Sequence, residues 1–431
     1  MTARPPAKPG PFTLAEWGLV LILAAINFVH ILDFVIVMPL GDRLRNELDI
    51  TPRQFGHIVS AYGLCATIAG LIVSSVVDRF DRRHVLLYSF AGFILATIYC
   101  GAATDYEHLL LARGLAGTFG GVAGSGIMSI IGDAFADARR GRAIGVTTSA
   151  FAVASIAGLP AGLALANAYG RGAPFYAIGG LSAIVLAVAW FRLPSFASHR
   201  VAEAEKPIVQ FFAVVKQPRH IACFAFMFAL VLGTFTVIPY IAPYMQSNCG
   251  RSEADIPIIY SIAGCCTLAS MIAVGIFTDR VGQWPVFLVF AGMAIVMCLV
   301  ITNLPPVGLI GGILAATGFM VFASGRIVPA QAMMLRIADP NLRGAFTNLN
   351  SAVQHLATGV APLISGRIVG EEYEKGPLTN YPIVGLIAAG FGFVAIGLSL
   401  LLRPAKAQSI VPTNAELRTL PGTDDDRSHG R

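Results

Sequence analysis

Charge is what this sequence has little of. Of its 431 residues only 13% are Asp, Glu, Lys or Arg, while 55% are hydrophobic; soluble globular chains carry about 25% charged residues. That deficit excludes an ordinary water-soluble enzyme and a disordered chain. The net charge of +6 forms no clustered basic face, so a nucleic-acid partner is excluded as well. A disulfide framework is also missing. Six of the seven cysteines (Cys65, Cys100, Cys223, Cys265, Cys266, Cys298) lie in apolar runs, where the thiol behaves as a small hydrophobe. Cys249 falls in a loop that holds no second cysteine. No G-x-x-x-x-G-K-[ST] segment is present to cradle a phosphate, and no polar stretch could house an ATP-hydrolysing domain. Energy for work would come from an ion gradient. Nothing calls for a metal or a cofactor. His30 and His355 stand in different halves with no convergent nucleophile, so an intramembrane enzyme such as an acyltransferase is disfavoured.

What the sequence has in abundance is long apolar runs. Twelve lie at about 17–40, 55–77, 84–103, 107–133, 143–166, 173–193, 218–244, 256–278, 285–304, 307–335, 345–369 and 383–402. Each is near the ~20 residues that span a bilayer as a helix. The expected fold is therefore an all-α membrane protein of twelve transmembrane helices in two pseudo-symmetric six-helix bundles. Its parts are an N-terminal bundle (1–193), a cytoplasmic linker (194–217), a C-terminal bundle (218–403) and a disordered cytoplasmic tail (404–431). The basic, Pro-rich Met1–Glu16 precedes a run too long for a signal-peptide core, which reads as a retained first helix.

Orientation follows from the basic residues. With the N-terminus inside, 21 Lys and Arg fall on the inner side and seven on the outer, which places both termini in the cytoplasm. The halves also repeat. SVVDRFDRR (75–83) follows the second run and GIFTDRVGQ (275–283) the eighth, with Asp78 and Asp279 201 residues apart. DARRGRA (137–143) and DPNLRGA (339–345) echo one another at an offset of 202. Duplicated halves of this kind build secondary transporters, whose site lies at the repeat interface near the midplane.

Ionisable groups inside membrane helices are costly and default to functional roles. In the first run Asn27, His30 and Asp33 recur at every third residue along one drifting stripe. Asp33 is placed about seven residues from the outer end, ~10 Å deep at 1.5 Å per residue. Arg113 lies at a similar depth in the fourth run. The pair reads as a proton-coupling element or as a permanent ion pair that fixes packing. His30 could relay a proton or simply pack. In the seventh run Thr236, Tyr240 and Tyr244 recur at every fourth residue, beside Pro239 and Pro243. Asn350, Gln354 and Thr358 do so in the eleventh. Tyr240, Asn350 and Gln354, with Asn27, are candidates for a substrate cavity, and such amides and phenols suit neutral or sugar-like ligands. Their alternative role is inter-helix hydrogen bonding. Arg326, in the cytoplasmic third of the tenth run, either snorkels to the interface or offers a cation to an acidic substrate. Gly158, Pro160 and Gly162 are explained by close packing at the bundle interface.

These residues resemble the major facilitator superfamily over nearly the whole chain. The family's loop signature G-x-x-x-D-R-x-G-R-[KR] is matched by Asp78, Arg79, Arg82 and Arg83, with Ser74 and Asp81 where glycines stand. The second copy keeps Gly275, Asp279, Arg280 and Gly282. The fourth-span signature is matched by Arg113 and Gly117 in LLLARGLAGTFGG, and ASIAGLPAGLALA resembles the antiporter signature G-P-x-x-G with Leu159 inserted. The pattern is most similar to the bacterial drug:proton antiporter and sugar-efflux branch. The resemblance implies coupling through Asp33 and Arg113. It also implies a cytoplasmic charge latch in which Asp78 meets the eleventh span and Arg82 pairs with Asp133, with Asp279 and Arg280 as its second copy. The alternative is a solvated charge run. The function so expected is proton-coupled export of a small neutral or amphipathic compound by alternating access, by a monomer in a bacterial inner membrane. A proton-coupled importer or passive facilitator of a sugar or metabolite is the second reading. Protons, the lipid bilayer and a small-molecule substrate are the implied partners.

Overall fold

The computed structural model describes residues 12–76, 81–135, 137–194, 207–339, 342–373 and 376–403. Its elements are α1 (Leu14–Ile36), α2 (Gly41–Leu48), α3 (Pro52–Val76), α4 (Arg82–Ala102), α5 (Tyr106–Ala134), α6 (Asp137–Thr148), α7 (Ala150–Val153), a π-turn (Ala154–Gly158), α8 (Leu159–Tyr169) and α9 (Ala173–Arg192). There follow α10 (Pro207–Val215), α11 (Pro218–Ser247), α12 (Asp255–Val281), α13 (Gln283–Thr302), α14 (Leu309–Gly325), α15 (Ile327–Ile337) and α16 (Arg343–Ile368). A two-residue hairpin, β1 (Gly370–Glu371) against β2 (Leu378–Thr379), leads to α17 (Tyr381–Leu401).

Polar residues start these helices. Thr13 Oγ1 accepts from Glu16 N at 3.3 Å while the Glu16 carboxylate accepts from Thr13 N at 2.8 Å, a reciprocal cap on α1. Asp105 caps α5 through His108 N at 2.9 Å. The first apolar run is shorter as a helix than its length suggests. It ends at Ile36, and a separate polar helix, α2, follows. Asp33 is consequently one turn from the end of α1, not two.

Among the described residues eleven helical stretches are long and apolar enough to cross a membrane. The expected run at 345–369 is present as a helix, α16, but is not one of the eleven. Asn348, Asn350, Gln354 and His355 make one stretch of it too polar for lipid, and α16 instead packs on α3 and α11. On it Asn350, Gln354 and His355 are half-buried and Asn348 is exposed.

Two apolar cores form. The larger runs through the first half and continues into the second, through Tyr240, Tyr244, Met245, Ile256, Ile301 and Tyr381 at the end of the molecule that carries α2 and on along α14 to Phe319 and Ala323. The smaller lies toward the opposite end of the second half, around Met227, Leu230, Phe287, Met333 and Phe346. The two halves of the chain therefore share a core at the α2 end. Glycine makes the crossing tight: a Cβ on Gly63 would stand 2.7 Å from Gly359 N, and one on Gly359 2.6 Å from Leu64 N.

Candidate functional site

Asp33 of α1 and Arg113 of α5 meet with no exposure of either side chain. Arg113 Nη1 donates to Asp33 Oδ2 at 2.9 Å and to the Asp33 carbonyl at 3.1 Å. The guanidinium also sits 4.5 Å over the Tyr62 ring of α3, a cation–π contact. Gly117 makes this possible. A Cβ there would lie 2.2 Å from the Tyr62 carbonyl oxygen, so only glycine lets α5 cross α3 closely enough to hold Arg113 over that ring. The glycine four residues after the arginine is thus a packing requirement of the pair.

Around the pair several buried polar atoms have no hydrogen-bond partner: Asp33 Oδ1, Arg113 Nε and Nη2, His30 Nε2 and Tyr62 Oη. Leaving such an atom unpaired costs roughly 1–3 kcal/mol, more for a charge. His30 is packed between Tyr62 and Phe93 with ring centroids 5.8 and 5.9 Å away. The three polar residues of the α1 stripe do not stay together. Asn27 turns to α6 and donates to the Thr147 carbonyl at 2.9 Å.

In the second half the polar residues take different roles. Tyr240 is fully buried, stacks edge-on to Phe55 and donates to the Pro52 carbonyl at 2.7 Å. It ties α11 to the start of α3. Asn350 and Gln354 are half-buried on α16, and Asn350 Oδ1 lacks a partner. Arg326 does not snorkel. It lies 95% buried (5% exposed), with Nη2 donating to Thr234 Oγ1 at 2.7 Å and to the Leu230 carbonyl at 3.2 Å.

At the end opposite α2, Arg82 forms an ion pair with Asp133 and donates to the Ser129 carbonyl at 3.2 Å, the pairing expected from the resemblance. Asp78 and Arg79 lie outside the described residues. Asp279 and Arg280 are exposed at the end of α12. Gly158 and Gly162 do not face the second half. A Cβ on either would meet Leu32 or Ile36 of α1, at 2.8 and 2.7 Å. Contact with α12 is made by other residues of α8 and of the π-turn, with Ser155 O 3.0 Å from where a Gly264 Cβ would stand.

The α2 end holds a network that sequence reading missed. Arg45, 1% exposed, pairs with Asp42 at 3.4 Å and with Glu371 of β1. Arg43 pairs with Glu253 ahead of α12, and Asn167 Nδ2 donates to the Glu253 carbonyl at 3.2 Å. Arg171 pairs with Glu47 at 3.0 Å. Burial lifts the Asp42 carboxyl above the usual carboxylate range against the pull of Arg45, and Glu253 and Glu371 add to the rise. A signal existed in the sequence: Arg43, Arg45 and Arg53 crowd a loop on the side the basic count leaves poor.

The sequence profile of the Major Facilitator Superfamily matches residues 23–362 and, in a second overlapping match, 231–421. The chain belongs to the Major Facilitator Superfamily. Its relatives in that superfamily include YbcL of Bacillus subtilis, an uncharacterised MFS-type transporter, 23% identical over 90% of this chain and 96% of its own length. A probable sugar efflux transporter of Mannheimia succiniciproducens is 22% identical over 88% of this chain and 92% of its own. Among solved structures, a bacterial homologue of the human lysosomal transporter Spinster, inward-facing and occupied, superposes with a TM-score of 0.71 at 16% identity, covering 92% of this chain and 100% of that one. The protein is thus a multi-pass membrane transporter, not an enzyme.

Proposed function

We propose that this transporter is a proton-coupled exporter of a small neutral or amphipathic compound, with the coupling proton carried by Asp33. One observation carries the reading: Asp33 is the one buried carboxylate residue among the described residues, and it is paired with an arginine. A proton arriving at Asp33 Oδ1 neutralises the carboxylate, weakens its hold on Arg113 and leaves the guanidinium to Tyr62. A movement of α1 against α3 and α5 follows from that exchange of partners. His30, one turn away, is a candidate relay. The efflux name of one relative supports export.

In this reading α16 is the twelfth span, residues 1–193 and 218–403 form the two bundles, and 194–217 link them. Both termini are cytoplasmic, so the α2 end faces outward. The shared core and the Arg43–Glu253 and Arg45–Glu371 pairs then hold the outer side closed. Asn350 and Gln354, with Asn27, supply amides to the ligand near the midplane, and Tyr240 joins them when its bond to Pro52 breaks. At the cytoplasmic end Asp78, Arg79, Asp279 and Arg280 form the latch that closes in the alternate state, beside the Arg82–Asp133 pair that is made already with the outer side closed. A monomer in a bacterial inner membrane carries the whole path.

Two experiments test this. Cells with and without the chain, under an imposed proton gradient, are compared for the compounds they accumulate. Counterflow of such a compound with and without the gradient then separates the exporter from a passive facilitator, which would ignore the gradient.

A further inference from the structure

Among the described residues, the membrane-embedded part of this protein buries two arginines, and only one has a counter-charge. Arg113 faces Asp33. Arg326, where α14 gives way to α15, has a neutral hydroxyl and a carbonyl for partners, and its Nε has none. Thr234 Oγ1 donates to the Leu230 carbonyl at 3.0 Å, so its lone pairs are what the guanidinium meets. No carboxylate is within ion-pair distance of Arg326 among the described residues. A guanidinium keeps its charge at any working pH, and an uncompensated charge in an apolar interior is strongly unfavourable.

Beside Arg326 lies a cavity of about 10 Å³, lined by Gly233, Thr234, Cys298, Phe319, Ala323 and Ala388. Roughly 10–15 Å³ measured this way holds one water, so the space admits a single small guest and excludes an organic substrate. Its wall is divided about evenly between polar and apolar surface, and the charge bordering it is positive. A water there would satisfy a donor but leave the charge uncompensated.

We infer that the Arg326 cavity binds one small monovalent anion of halide size, held by the guanidinium inside the second half of the chain. The anion serves as the counter-charge that Asp33 provides for Arg113, and it ties α11, α13, α14 and α17 together at that point. It is a structural ion site, independent of the direction and coupling of transport.

The test uses the full chain purified in detergent. Thermal unfolding is followed in sodium chloride against sodium gluconate at equal ionic strength. A saturable rise of the midpoint with chloride, reproduced by bromide, is expected because a ligand bound only to the folded state stabilises it by mass action. Arg326→Gln is expected to lose the chloride response. Should that variant fail to fold, bromide-soaked crystals of the unaltered chain give a second reading, with an anomalous peak expected beside Arg326 Nε. Equal midpoints in chloride and gluconate, an undiminished chloride response in Arg326→Gln, or no halide peak at Nε would each overturn the site.

Discussion

At the scale of single residues, the proposed function rests on a buried ion pair, and its energetics make a sharp prediction. Removing one partner of such a pair leaves a charge in an apolar interior and costs about 3–5 kcal/mol, while replacing both is often near neutral. Arg113→Met should therefore lower stability by about that much. Asp33→Leu combined with Arg113→Met should recover much of the loss, as read by denaturation in detergent. A double variant no better than the single one would mean that the pair is held by shape and not by charge. The pairing of Asp33 and Arg113 was legible in the sequence because so few charges interrupt the apolar runs. The depth of Asp33 was less so, since the apolar run continues to Leu40 while the helix stops at Ile36. Composition does not mark where a chain of hydrophobic residues turns. Arg326 was legible as an anomaly only. Its partners come from α11, 92 and 96 residues away in sequence, and local spacing carries no trace of them.

At the scale of elements, glycine and the π-turn set how closely helices cross. The antiporter-like motif in the fifth span departs from G-P-x-x-G by one residue, Leu159. A π-turn, which is one residue too many for an α-helix, occupies Ala154–Gly158 next to it. Between the halves, Gly63 and Gly359 bring α3 and α16 into backbone contact. Gly359→Val must push them apart, because its Cβ alone would stand 2.6 Å from Leu64 N. The variant is expected to keep its helical circular dichroism while cross-linking between the α3 and α16 faces falls several-fold. Unchanged cross-linking would show that the crossing tolerates bulk. The polar α2 helix was visible in the sequence only as a charged loop, since its partners Glu253 and Glu371 lie more than 200 residues further on.

At the scale of the whole molecule, the α2 end is closed by a common apolar core and by charge pairs between the halves. Its response to pH follows from Asp42, which faces Arg45, Asn46, Glu253 and Glu371. The Asp42 carboxyl titrates above its ordinary value while buried, and opening this end to water returns it toward that value. The closed end therefore binds the proton more tightly. Closure gains from acid between the ordinary and the raised values, and that gain is lost as pH rises through the raised one. Spin-label distances between α2 and the β1–β2 hairpin should shorten in acid, and Asp42→Asn should remain closed at all pH. Lengthening in acid would reverse the sign. The long apolar runs anticipated the eleven membrane-length helices of the described residues but not the polar character that sets α16 apart; which end is closed depends on contacts between halves, and no single stretch of sequence records them. The central claim is that Asp33 carries the coupling proton, and one measurement bears on it most directly. Proteoliposomes containing Asp33→Asn are loaded with a compound that the accumulation comparison identifies, then assayed for counterflow and for gradient-driven transport. Persisting counterflow with loss of uphill transport is the predicted result. Full pH-driven accumulation by Asp33→Asn would contradict it.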